Sequence, residues 1–484
     1  MELKLYEQLA QDIDVQIGRG MFLPGERIPS VRVTSQQQKL SITTVLRAYV
    51  LLESQGIIES RPQSGYFVRL RMPVASATEL ATAVATAGQL VPHGGMPALD
   101  VSRLVLSTLR TIQTNDALPL GSPYPDPSRF PEHRINLYAN GRARRQQGHA
   151  IDDLPPGNKE LIRQIARRYL SKGATVDANE IIITVGATEA INLCLQAVAK
   201  PGDLIAVESP TFYAMLHAIE RMGMRAVEIP TDPRHGIDLD ALELVLDQQT
   251  IAACMVMPNF QNPLGFQMPD ANKQRLVRLL AARQIPVIEN DVYSELHFGD
   301  AQPTSLKNYD SAGLVLHCGS FSKTLSAAHR IGWTAPGRYR AQVEKLKFLN
   351  SPITPAIPQL AIADYLKYEG YDHHLRKTRK AYVQQASIMT AAIQRFFPAG
   401  CTVSQPLGGY VLWVQLPAVV DSMQLYHQAL QHQITIGPGY MFSTNDRYKH
   451  YIRLNFSYAW SPAIENGIKT LGKLIETSLA EARL

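Results

Sequence analysis

The sequence predicts a multidomain protein in which a small N-terminal α+β unit precedes a large α/β unit with a largely parallel sheet. Three observations support this fold class. The chain has 484 residues, too many for one ordinary domain, and 45% of them are hydrophobic, so a large core can form. Helical periodicity and one hairpin account for the first seventy residues. From about residue 116 onwards, apolar strand-like runs alternate with helix-like segments.

Composition excludes several classes of protein. The four cysteines are scattered without a C-x-x-C pair, which fits a reducing compartment and argues against a zinc module or other metal site. No apolar span is long enough to cross a membrane, and the N-terminus lacks the pattern of a signal peptide. We therefore expect a cytoplasmic protein with no membrane partner. The formal net charge of +6 permits nucleic-acid binding without requiring it.

The first seventy residues predict three helices and a hairpin. Apolar residues recur at every fourth position of the first helix, at Leu5, Leu9, Ile13 and Ile17. Ser30 and Ser41 are the expected N-caps of the second and third helices. The third helix should bury Val45, Ala48, Tyr49 and Leu52. A hairpin follows and turns at residues 62–65, which completes a winged helix-turn-helix. The alternative is a small helical domain that binds protein.

Residues 71–115 have a different composition. Small residues dominate from Val74 to Gly88, and prolines and glycines follow up to Pro97. We predict a linker over 71–115 that joins two separately folding units, an N-terminal domain of residues 1–70 and a C-terminal domain of residues 116–484.

The large unit shows the alternation of an α/β domain. The strand candidates are Glu180–Val185, Asp203–Val207, Arg225–Ile229, Ala252–Met257, Pro286–Ile288 and Leu314–Cys318. Helix-like segments separate most of them, at Thr188–Ala199, Pro210–Met222 and Asp270–Arg283. Because strands and helices alternate, we expect a largely parallel sheet whose ligands bind at the carboxyl ends of the strands.

Reactive and anion-binding groups follow two of these strands. Lys323 lies just past the Leu314–Cys318 strand, and a lysine in an apolar pocket can lose its proton and form a Schiff base with an aldehyde. Nearby, Ser320 offers a hydroxyl and Arg330 a forked cation, which suits a phosphate. The turn before Thr188 places backbone N–H groups at a helix N-terminus, a second phosphate-binding feature. A lone lysine at a strand end is otherwise a solvated surface residue.

The string Ser320-Phe-Ser-Lys-Thr-Leu, followed by Arg330 and Gly332-Trp333, resembles the cofactor-lysine segment of fold-type I pyridoxal-phosphate (PLP) enzymes. This resemblance implies that Lys323 is the catalytic lysine that carries pyridoxal 5'-phosphate. It also implies a set of further contacts: Ser320, Arg330, Ala187 and Thr188 to the phosphate, Phe212 to the ring face, Asn262 and Tyr293 to the phenolic oxygen, and Arg453 to the carboxylate of a substrate or effector.

Three departures from the enzyme pattern stand out. Asp153 precedes Leu154-Pro155-Pro156-Gly157, where aminotransferases often carry a tyrosine that reaches the partner subunit's phosphate. Leu325-Ser326-Ala327 replaces the usual Leu-x-Pro after the lysine. Asn290 lies three residues before Tyr293, where aminotransferases commonly carry the aspartate that keeps the pyridine nitrogen protonated. In an extended chain Asp291 points to the opposite face, whereas a bend after Ile288 would bring Asp291 to the ring instead. If Asn290 faces the ring, we expect a poor transaminase.

The N-terminal strings P-G-E-R-I-P-S-V-R, S-I-T-T-V-L-R-A-Y and S-G-Y-F-V resemble the GntR-type DNA-binding domain. This resemblance implies that the third helix enters the major groove. The implied DNA-binding residues are Arg32, Ser41, Thr43, Thr44 and Arg47, with Gly65 shaping the wing. Ile42 departs from the basic residue common at its position.

Together the two resemblances cover nearly the whole chain. A chain that combines these two domains resembles the MocR-type family of bacterial transcriptional regulators. In that family a winged helix-turn-helix is fused to a fold-type I PLP-dependent aminotransferase-like domain. The resemblance implies a PLP-binding regulator of a double-stranded DNA operator, a small amino compound as effector, and a domain-swapped, head-to-tail homodimer. The alternative is a PLP-dependent aminotransferase with a fused DNA-binding module, which Arg453 keeps open because it supplies a carboxylate grip.

Overall fold

The computed structural model describes residues 4–18, 22, 26–61, 65–68, 101–114, 117–145 and 154–482. The chain divides into two compact units, Met1–Pro97 and Ala98–Leu484. Most of the predicted linker lies outside the described residues, but its C-terminal end needs correction, because a helix, α4 (Val101–Thr114), belongs to the second unit. Leu104 and Val105 pack against the core of that unit, and the Thr108 hydroxyl lies 2.9 Å from that of Tyr426. Among the described helices, none combines the length and apolar composition needed to cross a bilayer.

The N-terminal unit has the predicted order of elements. It comprises α1 (Leu5–Gly18), α2 (Val31–Gln38), α3 (Ile42–Ser54), β1 (Ile58–Arg61) and β2 (Gly65–Val68). Ser30 caps α2, accepting from the Val33 amide at 3.4 Å, and Ser41 caps α3, accepting from the Thr44 amide at 3.1 Å. The inward face of α3 is fully buried, as predicted, at Val45, Ala48, Tyr49 and Leu52. The turn between the two strands, residues 62–64, lies outside the described residues.

On α1 the apolar face is shorter than its periodicity predicts. Leu9 and Ile13 are buried, whereas Leu5 is exposed because it begins the helix, beyond the body of the small core. That core is closed by Tyr49, whose hydroxyl donates to the Pro29 carbonyl at 2.7 Å and whose ring meets the edge of Tyr66.

The second unit is an α/β domain with a long sheet. The sheet contains β3 (Ile182–Thr184), β4 (Leu204–Ser209), β5 (Arg225–Asp232), β6 (Gly236–Ile237), β7 (Ile251–Val256), β8 (Val287–Asn290), β9 (Val315–Ser320) and β10 (Gly332–Ala335). Its order is β3-β10-β9-β8-β7-β4-β5-β6. The strands β9, β8, β7, β4 and β5 run parallel, while β10 is antiparallel to both of its neighbours and β6 is antiparallel to β5. All six strand candidates are therefore strands of a largely parallel sheet, as predicted.

Helices cover this sheet, and a smaller sheet follows it in the chain. The helices are α5 (Glu132–Arg145), α6 (Lys159–Ser171), α7 (Ala187–Val198), α8 (Tyr213–Arg221), α9 (Leu239–Gln248), α10 (Asp270–Ala282), α11 (Arg340–Asn350), α12 (Ala356–Tyr368), α13 (Tyr371–Phe396), α14 (Ser422–Gln431) and α15 (Pro462–Glu481). The smaller sheet has the order β11-β12-β14-β13, with β11 (Thr402–Val403), β12 (Val411–Gln415), β13 (Gly437–Pro438) and β14 (Tyr451–Asn455). Apolar clusters pack against both faces of the long sheet.

Candidate cofactor and DNA-binding sites

A cavity of about 190 Å³ lies where β8 and β9 end. Its lining contains every residue predicted to bind the cofactor except Asn262: Ala187, Thr188, Phe212, Asn290, Tyr293, Ser320, Lys323 and Arg330. Asn262 lies behind Tyr293, and its amide donates to the Tyr293 hydroxyl at 3.3 Å. The strand–turn arrangement thus gathers residues that are more than a hundred positions apart in the chain, because parallel strands end at the same edge.

Lys323 is prepared as a nucleophile. Its ammonium nitrogen donates to the Pro123 carbonyl at 2.9 Å and lies 4.3 Å from the centre of the Tyr124 ring. Burial, together with the guanidinium groups of Arg330 and Arg453, lowers the pKa of Lys323 to about 7. A large share of this amine is therefore neutral near pH 7, which is the form that attacks an aldehyde.

The lowered pKa predicts how capture of an aldehyde by the cofactor-free protein depends on pH. The rate of reducible adduct formation at Lys323 with pyridoxal, which lacks the phosphate, should rise with a midpoint near pH 7. The direction follows because a lowered pKa leaves the reactive neutral amine present above about 7 and removes it by protonation below. Peptide mapping after borohydride reduction measures this rate, with exposed Lys469 as the internal control. A midpoint near 10 at Lys323 would contradict the prediction.

A cradle for an anion lies beside the lysine. The Arg330 guanidinium donates to the Ser322 hydroxyl at 3.1 Å, and the Ser320 hydroxyl accepts from the Ser322 amide at 3.0 Å. Gly186 has φ 81°, and a Cβ there would lie 2.6 Å from the Arg330 guanidinium, so a side chain would fill the space. Ala187 opens α7 at this point, where free backbone N–H groups and the helix dipole favour a phosphate.

A chain of polar groups leads from Tyr293 to Arg453. The Arg453 guanidinium donates to the Asn262 side-chain oxygen at 3.4 Å and to the Gly121 carbonyl at 2.6 Å. Its Nε is buried and has no hydrogen-bond partner among the described residues, so one donor remains for a ligand. Burial raises the pKa of Tyr293, which keeps its phenol protonated and able to donate. Arg453 itself lies behind Asn262 and does not line the cavity.

Of the two neighbours Asn290 and Asp291, the structure turns Asn290 towards the cavity. The Asn290 side-chain oxygen is buried and has no hydrogen-bond partner among the described residues. Asp291 points away and bonds Asn259 at 3.0 Å, Lys172 at 3.2 Å and His317 at 3.2 Å. Although burial alone would raise the pKa of Asp291, Lys172 and His317 hold it well below its ordinary value. Asp291 is therefore committed to a separate ion-pair network.

The same network accounts for a cluster with the appearance of a metal site. Potential ligand atoms of Glu289, Asp291 and His317 lie within 4.8 Å of one another. Each carboxylate already has protein donors: Asp291 has those given above, and Glu289 accepts from the Ser305 hydroxyl at 2.6 Å and the Leu306 amide at 3.0 Å. We assign the cluster to the hydrogen-bonded core.

The loop after Lys323 has a substitute for the missing proline. Ser326 is buried, and its hydroxyl donates to Glu132 at 2.8 Å, lies 2.7 Å from the His329 ring nitrogen and accepts from the His329 amide at 3.2 Å. Three hydrogen bonds to one hydroxyl restrain the loop without a proline ring.

Several residues of the site were not predicted from the sequence. Tyr124 lies against the Lys323 amine, and the Tyr410 hydroxyl donates at 2.8 Å to the same Pro123 carbonyl that Lys323 uses. Val105 and Leu109 of α4 form an apolar wall of the cavity, although the sequence assigns them to a linker. In the sequence, only the aromatic character of Tyr124 directly after Pro123 could have pointed to it.

These residues fit PLP. The space at Gly186 and the donors around it suit a phosphate, and the cavity lined by Asn290 contains a buried amide oxygen without a partner among the described residues. Lys323 supplies the amine that an aldehyde cofactor requires.

The predicted DNA-binding residues lie on α2, at the start of α3 and on the hairpin of the N-terminal unit. Arg32, Ser41, Thr43 and Arg47 are exposed, and Thr44 is half-buried. The hydroxyls of Ser41 and Thr44 lie 2.7 Å apart at the start of α3. Gly65 begins β2 with φ 105°, a backbone conformation that favours glycine. A Cβ at this position would lie only 3.0 Å from the Arg27 side chain. The α3 surface therefore presents hydroxyls and a cation suited to DNA.

Comparison with known proteins gives the same division. Residues 5–68 match the family described as bacterial regulatory proteins, gntR family, and residues 139–468 match aminotransferase class I and II. The chain is 40% identical over 481 residues to the uncharacterized HTH-type transcriptional regulator YdcR of Escherichia coli, which covers 99% of this chain and 100% of that protein.

Solved structures similar to the chain are aminotransferases. The multiple substrate aminotransferase from Thermococcus profundus is 26% identical with a TM-score of 0.72, over 80% of this chain and 96% of that one. LysN, the α-aminoadipate aminotransferase from Thermus thermophilus, crystallised with N-(5'-phosphopyridoxyl)-L-leucine, is 27% identical with a TM-score of 0.71, over 77% of this chain and 95% of that one. The predicted fold class and PLP as cofactor are thereby confirmed. The chain belongs to the MocR-type bacterial transcriptional regulators, in which a GntR-type helix-turn-helix is joined to a PLP-binding aminotransferase class I and II domain.

Proposed function

We propose that an amino compound binds beside PLP in this regulator and thereby changes the affinity of its winged helix-turn-helix for an operator, with little transaminase turnover. The observation that carries this proposal is the position of Asn290, which faces the cavity where an enzyme needs a carboxylate. Because the operator is chromosomal DNA, we expect the protein to act in the cytoplasm.

Different residues of the site bind different parts of the cofactor and of the amino compound. Arg330, Ser320 and the N-terminus of α7 hold the phosphate, and Tyr293 with Asn262 orients the ring. Lys323 would supply the neutral amine that holds the aldehyde cofactor when it is bound. We assign the carboxylate of the amino compound to Arg453, whose guanidinium would have to turn from Asn262 to reach the cavity. PLP, when bound, supplies an electron-accepting ring.

Asn290 limits the chemistry that is possible after an amine has bound. A neutral amide cannot hold a positive charge on the ring nitrogen as an aspartate does. A hydrogen bond to an ion contributes about 1.5–3 kcal/mol, against roughly 1 kcal/mol for a neutral pair. This difference in stabilising free energy grows as negative charge develops in the transition state. The amide therefore lowers the rate more than it lowers the affinity for the amine. Turnover should therefore be slow while amine binding stays intact.

Asn290→Asp tests this directly. We expect conversion of an L-amino acid to its keto acid in a single turnover to become about tenfold faster, equivalent to ~1.4 kcal/mol, with amine affinity nearly unchanged. Absorbance of the bound cofactor follows both quantities. The matched control is Asn192→Asp, since Asn192 lines the same cavity and has no role assigned to it. Wild-type turnover at ordinary enzyme rates, or no gain from Asn290→Asp, would contradict the proposal.

The second candidate function is an aminotransferase with a fused DNA-binding module. Arg453 favours it, because a buried arginine with a free donor suits the carboxylate of a substrate. Incubation with amino acids and a keto acid distinguishes the two functions when it is paired with binding to DNA from the protein's own promoter region. Multiple turnovers without an effect of amines on DNA binding would favour the enzyme.

We also propose the domain-swapped homodimer that the family resemblance implies. Support comes from large apolar side chains exposed on α11 and α12 of the second unit, namely Phe348, Leu349 and Tyr368. A symmetric dimer carries two winged helices, so its operator should contain two half-sites separated by whole helical turns. Sedimentation equilibrium of the full chain measures the oligomeric state, and a monomer at micromolar concentration would contradict this proposal.

A further inference from the structure

Helix α3 has two exposed apolar side chains, here called the apolar edge, that do not contribute to the buried core of the N-terminal unit. Ile42 is the first residue of α3 and is 55% exposed, and Leu46, one turn later, is 44% exposed. The core is filled from the adjacent face of the helix by Val45 and its buried neighbours. The apolar edge lies next to Thr43 and Arg47, which are exposed on the same helix.

The position of Ile42 matters because of how such helices dock. In helix-turn-helix proteins the N-terminal residues of the recognition helix contact base edges in the major groove. Ile42 occupies that end of α3, directly after the Ser41 cap. This chain carries an aliphatic side chain there.

An aliphatic side chain restricts which base can lie against it. Ile42 neither donates nor accepts a hydrogen bond, so close contact with the polar edge of guanine, adenine or cytosine would leave that edge unpaired. Thymine alone presents an apolar group in the major groove, its C5-methyl. Contact between that methyl and Ile42 removes apolar surface of both from water.

We propose that Ile42, supported by Leu46, selects thymine in each operator half-site through contact with the C5-methyl group. This inference rests on the proposed function, because it requires α3 to read an operator. It assigns a base preference to the first residue of α3.

The experiment removes the methyl group alone. An operator is selected from random double-stranded DNA with the full-length protein, and each thymine is then replaced by deoxyuridine, which keeps base pairing. We expect at least one replacement per half-site to weaken binding about fourfold, the equivalent of ~0.8 kcal/mol for one buried methyl group. Fluorescence anisotropy at fixed salt measures the affinities.

Variants assign the effect to the side chain. Ile42→Ala should bind the thymine operator more weakly and lose its sensitivity to deoxyuridine, while Ile42→Arg should shift the preference at that position towards guanine. Val15→Ala is the control, since Val15 is also an exposed aliphatic residue of this unit but lies on α1. It should keep the full deoxyuridine effect.

Negative results for this inference can be distinguished from negative results for the proposed function. Binding that is unaffected by deoxyuridine at every position, or an Ile42→Ala protein with undiminished deoxyuridine sensitivity, would overturn this inference and leave the proposed function standing. A full-length protein that selects no DNA sequence at all would overturn both.

Discussion

Replacing Lys323 with alanine is expected to abolish the borohydride-reducible link between the protein and PLP. Lys323 provides the amine of the cavity, with its pKa lowered to about 7 by burial and by the neighbouring guanidinium groups. Arg330, Ser320 and the turn at Gly186 remain in the variant, so cofactor should still bind without a covalent bond. Intact mass after reduction measures the link, and dialysis measures the weaker non-covalent binding.

The control for this variant is Lys200→Ala. Lys200 is exposed just after α7, so its loss should leave both the reducible link and the cofactor content unchanged. If Lys323→Ala gave the reduced adduct at the wild-type yield, the assignment of the cofactor lysine would be wrong.

Arg47→Ala should reduce operator affinity by about 1–3 kcal/mol, roughly 5- to 150-fold, and relax the preference at one base pair. Arg47 is exposed on α3, one turn past the helix N-terminus, and we expect its forked donor group to contact a guanine or a phosphate. Binding of the wild type should also fall steeply with salt, because phosphate contacts release counterions. Anisotropy at several salt concentrations separates these two contributions.

Arg395→Ala provides the matched comparison, since Arg395 is an exposed arginine of the large unit stacked on Phe396. It should retain wild-type affinity and salt dependence. An Arg47→Ala protein with unchanged operator affinity and preference would show that α3 is not the helix that reads DNA.

The sequence was sufficient to predict that residues following the strands line one cavity. Lys323 and Arg330 belong to one short string, and their positions follow once the strand before them is recognised. The same holds for the Ser41 cap and the buried face of α3, where local periodicity determines burial. Local patterns succeed here because the neighbours that matter are close in the chain.

Other features depended on contacts that no local pattern encodes. The choice between Asn290 and Asp291 required the real direction of each side chain at the end of β8. The network that holds Asp291 includes Lys172 and His317, both far away in sequence. Likewise, α4 follows a stretch with the composition of a linker, and its place in the fold is determined by partners such as Tyr426, more than three hundred residues later.

Helix α4 also joins the start of the second unit to the cavity. Val105 and Leu109 line the cavity, and the helix begins a few residues after Ala98, where this unit begins. Thr108 of the same helix contacts Tyr426 of α14. A bulky compound in the cavity and the contact with α14 would therefore compete for the position of α4.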